Sequence, residues 1–201
     1  MFKRLSLPLV ALSLFASAAA EAKTIGYVLR SQPDSFQAEG AVGYVLRSDD
    51  DVYRDARIYT KSYGSVRIEF DDGTDLLISP NSSIVLDSYV YAGDGAPGSM
   101  ALSLAKGALR VISGRMAKES YRVDTTIASI GVRGTRYWLD VDEPGILKIW
   151  TDEGTVVARP VATDEVFVFE APVYAECTTT TCEITPAPPP PVKFPTDPRS
   201  R

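Results

Sequence analysis

Ile127-Ala128-Ser129-Ile130-Gly131-Val132-Arg133-Gly134-Thr135-Arg136-Tyr137-Trp138-Leu139-Asp140-Val141 carries two period-2 patterns that are out of phase with each other. Ala128, Ile130 and Val132 fall on one parity, while Thr135, Tyr137, Leu139 and Val141 fall on the other. Alternation of this kind marks a strand with one buried face. The apolar face changes sides near Gly134, which requires an inserted residue or a sharp bend, and glycine permits either. The stretch therefore reads as two strands joined by a bulge or corner. Arg133 stands at that corner with five donors available, and Asp71, Asp72 and Asp124 are the carboxylates it is expected to clamp. A ligand contact through the same guanidinium is the alternative.

Working outward, the same texture recurs from Ile58 to Phe169. Val66, Ile68 and Phe70 alternate with Arg67 and Glu69, and Asp71-Asp72-Gly73 turns the chain. Leu76 to Ile78 runs on to Pro80-Asn81; Met100, Leu102 and Leu104 alternate again; Gly107 and Gly114 interrupt. Leu147 to Thr151 and Thr155 to Arg159 read as two strands separated by a turn at Glu153-Gly154. Beyond the N-terminal leader, no window of eleven or more residues shows an apolar stripe at helical spacing. The expected fold is a single all-β domain of many short strands, sandwich-like or a short β-solenoid. Ile25 to Ser31 and Val42 to Ser48 are nearly the same heptad, which hints at two rungs of a repeat.

The ends differ from the middle. A basic start, Met1 to Arg4, precedes an apolar run from Leu5 to Ala20, with Pro8 inside it and small residues at its close. Residues 1–22 read as a cleavable signal peptide, cut after Ala22 or after Ala20, because the run is short of the ~20 apolar residues a membrane span needs. Past Ala171 come Cys177 and Cys182 around a threonine run, then a proline-rich stretch from Pro186 to Pro191. The domain is expected over residues 23–171, and residues 172–201 are expected to form a disulfide loop followed by a flexible polyproline tail.

Composition removes several kinds of chemistry. The 201 residues include no histidine, so His-based triads and HExxH metal sites are excluded. Two cysteines are too few for an all-thiolate zinc site, and no metal or other cofactor is expected. A formal net charge of −5 argues against nucleic acid as a partner.

Two blocks of sequence, in order, point to a family. Gly64-Ser65-Val66-Arg67-Ile68-Glu69-Phe70-Asp71-Asp72-Gly73-Thr74 leads through Ser79-Pro80-Asn81-Ser82-Ser83. Val123-Asp124-Thr125 and Ile130-Gly131-Val132-Arg133-Gly134-Thr135 follow. Together they resemble the FecR-domain family over roughly residues 24–160, with its DGT turn, PNS-like corner and VRGT motif. The resemblance implies a β-rich periplasmic module and marks Asp72, Gly73, Thr74, Gly131, Arg133, Gly134 and Thr135 as motif residues. Sensor members of that family also have a cytoplasmic sigma-factor-binding part and a transmembrane helix. Only Met1 to Arg4 precedes the apolar run here, so the resemblance is expected to extend to stand-alone exported members, with a binding or scaffold role and no enzymatic activity.

The expected function is thus that of a non-catalytic periplasmic or secreted module that meets an envelope protein and has no membrane span once the leader is cut. A cell-wall or glycan-binding module is the alternative. Trp138 and Trp150 lie on faces away from their apolar neighbours, where they would form a binding surface or a second core layer.

Overall fold

The computed structural model describes residues 23–186, except Gly95 and Lys118. These residues contain sixteen strands and no helix, so no helix among them is long and apolar enough to cross a membrane. The first eight strands are β1 (Thr24–Ser31), β2 (Ser35–Glu39), β3 (Val42–Val45), β4 (Asp51–Tyr53), β5 (Arg57–Thr60), β6 (Val66–Phe70), β7 (Asp75–Ile78) and β8 (Ser83–Val90). The rest are β9 (Ser99–Lys106), β10 (Ala108–Ile112), β11 (Tyr121–Thr125), β12 (Ala128–Asp140), β13 (Leu147–Pro160), β14 (Phe167–Glu170), β15 (Val173–Cys177) and β16 (Cys182–Ile184).

Ala128–Asp140 form β12 as one continuous bent strand instead of the expected two. Its first half pairs with β11 and its second half with β10, while β13 runs along its other edge throughout. The register slips between Arg133 and Arg136, where Gly134 has φ of 57°. Ala128, Ile130 and Val132 are buried before the slip, and Thr135, Tyr137 and Leu139 after it. The bulge lets a single strand serve two limbs of one sheet. One limb continues from β11 through β9, β8, β5 and β2 to β3; the other continues from β10 through β7, β6 and β1 to β4.

The limbs fold onto each other around one hydrophobic core, which makes the curled sheet sandwich-like. Phe70 of β6 stacks on Tyr89 of β8 at 5.6 Å, and Ile58, Ile84 and Leu104 of one limb share a cluster with Ile68, Ile78 and Leu109 of the other. All pairings are antiparallel except β9 with β11. That pair is parallel because the chain leaves β9, builds β10 in the opposite limb, and returns through Ser113–Ser120.

Other expectations change as well: Glu153-Gly154, expected as a turn, lies inside β13. The heptads Ile25 to Ser31 and Val42 to Ser48 are not equivalent rungs: β1 lies between β6 and β4, whereas β3 is an edge strand paired only with β2. The sheet also does not stop at Ala171, since β15 pairs with β13 and β16 with β15. Cys177 and Cys182 stand opposite each other in that hairpin and form a disulfide with a Cα–Cα distance of 4.0 Å. The expected signal peptide and most of the proline-rich tail lie outside the described residues.

Candidate functional site

Asp72 lies in the turn between β6 and β7 and is fully buried. A buried carboxylate must have its lone pairs filled. Thr74 does half of this, through its amide to Oδ1 at 3.1 Å and its hydroxyl to Oδ2 at 2.8 Å. The other two donors come from the facing limb: Tyr89 of β8 to Oδ1 at 3.2 Å and Tyr121 of β11 to Oδ2 at 2.7 Å. Burial, reinforced by the carboxylate itself, pushes both hydroxyls above the ordinary phenol value, so both remain protonated donors. Four donors occupy the four acceptor positions of one carboxylate.

The segment returning from β10 to β11 closes over this turn. Gly114 donates its amide to Thr74 Oγ1 at 3.0 Å, Arg115 donates its amide to the Asp72 carbonyl at 2.9 Å, and Met116 donates to Tyr121 Oη at 3.1 Å. Ser113, one residue earlier, bonds the β12 corner through both its amide and its hydroxyl, which donates to the Thr135 carbonyl at 3.1 Å. Its amide donates to the Thr135 carbonyl at 3.0 Å, and the Thr135 amide donates to its hydroxyl at 2.8 Å. The DGT turn and the VRGT corner, far apart in sequence, are thus joined through Ser113 and Gly114. Gly73 takes the positive φ of the turn at 81°.

A second polar cluster sits at the other end of β7. The Thr60 hydroxyl donates to the Ser79 carbonyl at 2.6 Å and accepts from the Ser82 amide at 3.0 Å. The hydroxyls of Ser79 and Ser82 lie 2.9 Å apart and both accept from the Ala108 amide. Thr60 belongs to one limb and Ala108 to the other, so the PNS-like corner also fastens the two limbs together.

Arg133 does not act as the expected internal clamp. A bulge turns two consecutive residues outward, and both Arg133 and Gly134 are exposed. The guanidinium pairs with Glu119 at 2.5 Å, with both side chains more than half exposed. The carboxylates expected to receive it have other partners: Asp72 the tyrosines, Asp124 the Arg122 guanidinium and the Ser129 hydroxyl. Asp71 is exposed, and Asp75 holds Arg67 Nε at 3.0 and 2.9 Å. Arg133→Ala should therefore shift the unfolding free energy by no more than about 0.5 kcal/mol, as exposed ion pairs do. Urea titration showing a loss of about 2 kcal/mol would restore the clamp.

Trp138 and Trp150 face each other across β12 and β13, in a row that runs from Arg110 of β10 to Tyr174 of β15. Trp150 is only 6% exposed and packs on Tyr174 at 4.8 Å, so it belongs to a second core layer and offers no free binding face. Trp138 is half-buried, with the Arg110 guanidinium 5.1 Å from its ring centre. Gly131 lies in the β12 segment paired with β11 and β13. Among the described residues no group of three or more His, Cys, Asp or Glu side chains is placed to hold a metal.

An all-β module whose two limbs are pinned at a DGT turn and a glycine-bent VRGT corner defines the class. The model of the FecR protein family matches residues 56–157, from the start of β5 through most of β13, and the chain belongs to that family. Two crystal structures of a candidate anti-sigma factor from Parabacteroides distasonis ATCC 8503, at 2.50 and 1.65 Å resolution, share the fold. Each has a TM-score of 0.50 and 16% sequence identity, with 64% of this chain matched. The match spans 57% of the length of that protein. A comparison with curated protein sequences gives no match.

Sequence reading singled out Asp72 and Thr135 but not the groups that complete them. Tyr89, Ser113 and Tyr121 carried no local signal, because a tyrosine or serine on a strand is ordinary until its neighbour across the core is known.

Proposed function

We propose that this FecR-family chain is an exported, non-catalytic module that binds a protein partner in the bacterial envelope as part of a signal-regulated system. The observation that carries the reading is the fate of the family motifs. Asp72 and Thr74 spend their side-chain polar groups, and Thr135 its backbone amide and carbonyl, on holding the structure together, and Asp72 has no acceptor position left for a substrate proton. Residues used this way make a rigid platform, and its outer surfaces are what such a platform offers. Family membership supports a regulatory role, and the fold shared with a candidate anti-sigma factor agrees with it.

Export rests on the leader at residues 1–22, and the disulfide between Cys177 and Cys182 suits an oxidising compartment. Expressed in a Gram-negative host, the full chain should be released by osmotic shock with an N-terminus at Glu21 or Lys23. In-cell crosslinking of the exported chain should give a discrete adduct with an envelope protein. Retention in the cytoplasm with an intact leader, or adducts with peptidoglycan alone, would overturn the reading.

A further inference from the structure

Phe36, Tyr59, Ser83 and Lys106 stand directly opposite one another across β2, β5, β8 and β9. Arg57 and Lys61 flank Tyr59 at two residues' distance along the chain, which puts them on its side of the sheet. All of these but Phe36, together with Ser62 and Asn81, line an open groove of about 460 Å³. None of the lining residues is acidic, although the chain as a whole carries net charge −5.

The three cations of the groove differ from seven others among the described residues. Arg54, Arg67, Arg115, Arg122, Arg133, Arg136 and Lys148 each hold a carboxylate. Among the described residues Arg57, Lys61 and Lys106 hold none. Two of them rest on aromatic rings instead: Lys61 Nζ lies 5.1 Å from the Phe36 centroid and Arg57 Cζ lies 5.2 Å from that of Tyr59. The rings themselves are stacked at 5.0 Å. A ring positions a cation without neutralising it, so the charge is held in place and available.

The groove crosses strands whose backbone groups are already used. β5 lies between β2 and β8, and β9 between β8 and β11, so no free edge there could accept an extended peptide. The remaining lining groups are hydroxyls and an amide, which suit a hydroxylated ligand better than apolar side chains. Tyr59 and Lys106 are two strand spacings apart, roughly 10 Å, a separation that fits charges spread along a chain of rings.

We propose that this groove binds an anionic saccharide, with Arg57, Lys61 and Lys106 taking its phosphate or carboxylate groups and Ser62, Asn81 and Ser83 its hydroxyls. The site lies on strands other than those of Trp138 and Trp150 and does not depend on the identity of the protein partner.

Calorimetric titration of the full mature chain tests this with four probes: an oligogalacturonate, a phosphorylated mannose oligosaccharide, neutral maltohexaose and a glutamate oligopeptide. At least one anionic saccharide should bind, more weakly as salt is raised, and maltohexaose should not. Which of the two binds assigns the anionic group. The triple variant R57Q/K61Q/K106Q should lose about tenfold or more in affinity, with an unchanged urea midpoint. Lys106→Gln alone, which touches neither ring, should lose severalfold. Failure of both anionic saccharides, binding that the triple variant retains, or tighter binding of the glutamate oligopeptide would overturn the assignment.

Discussion

Replacing Asp72 with alanine should lower the unfolding free energy by about 3–5 kcal/mol, the range seen when one partner of a buried charged network is removed. Two tyrosine hydroxyls, a threonine hydroxyl and the Thr74 amide all lose their acceptor together. Each unsatisfied buried donor costs about 1–3 kcal/mol, and some of them will find new partners, so the total falls short of the simple sum. Location makes the loss larger than an ordinary turn substitution: Tyr89 and Tyr121 lie on one limb and Asp72 on the other, so the sandwich loosens where the chain crosses between them. Asp72→Asn should cost less, about 1–3 kcal/mol, because the tyrosine hydroxyls can rotate to accept from the new amide. Urea denaturation followed by circular dichroism measures both. If Asp72→Ala melted like the parent protein, the carboxylate would not be structural, and the case for an acid or base at this position would reopen.

The part of the fold that was legible in sequence is the part encoded locally. Alternation over Ala128, Ile130 and Val132, then over Thr135, Tyr137 and Leu139, needs only side-chain order along one strand, and the bulge appears where the phase changes. What depends on a neighbour was not legible. Glu153-Gly154 has the composition of a turn, yet it lies inside β13, because β12 bends beside it and the two strands must turn together. Trp150 does face away from the inner core as its parity implies, but Tyr174 of a strand expected to lie outside the domain covers it. The heptad echo shows the same limit most sharply: Val28 is fully buried and its counterpart Val45 is 50% exposed, in nearly identical local sequence. A positive patch around Arg57, Lys61 and Lys106 is likewise invisible in a net charge, since three strands must be set side by side to assemble it. The DGT and VRGT motifs are legible as motifs, but the bonds that join them run through Ser113, which has no local signal, and Gly114, which reads only as a strand break.

Gly154→Ala should cost at least about 3 kcal/mol, combining the strain of a left-handed residue with a direct collision between strands. Gly154 has φ of 79°, in a region costing other residues about 1–2 kcal/mol. Its added Cβ would also lie 2.5 Å from the Arg133 carbonyl oxygen and 2.7 Å from Thr135 Cγ2, with the Gly134 carbonyl closer still. Two of those three atoms are backbone, so relief requires β12 and β13 to separate at the corner. Every element of both limbs attaches through those two strands, and a local separation should therefore reach the whole sandwich. Gly131→Ala provides the control within the same motif: its Cβ would meet only the Val157 carbonyl, at 4.0 Å, and its expected cost is below about 1 kcal/mol. Thermal and urea unfolding of the two variants side by side separates the explanations. A large loss at position 154 with little at 131 identifies the paired bend as the feature that fixes the fold. Equal, small losses would mean that β12 and β13 can turn the corner without glycine, and that some other contact sets the angle between the limbs.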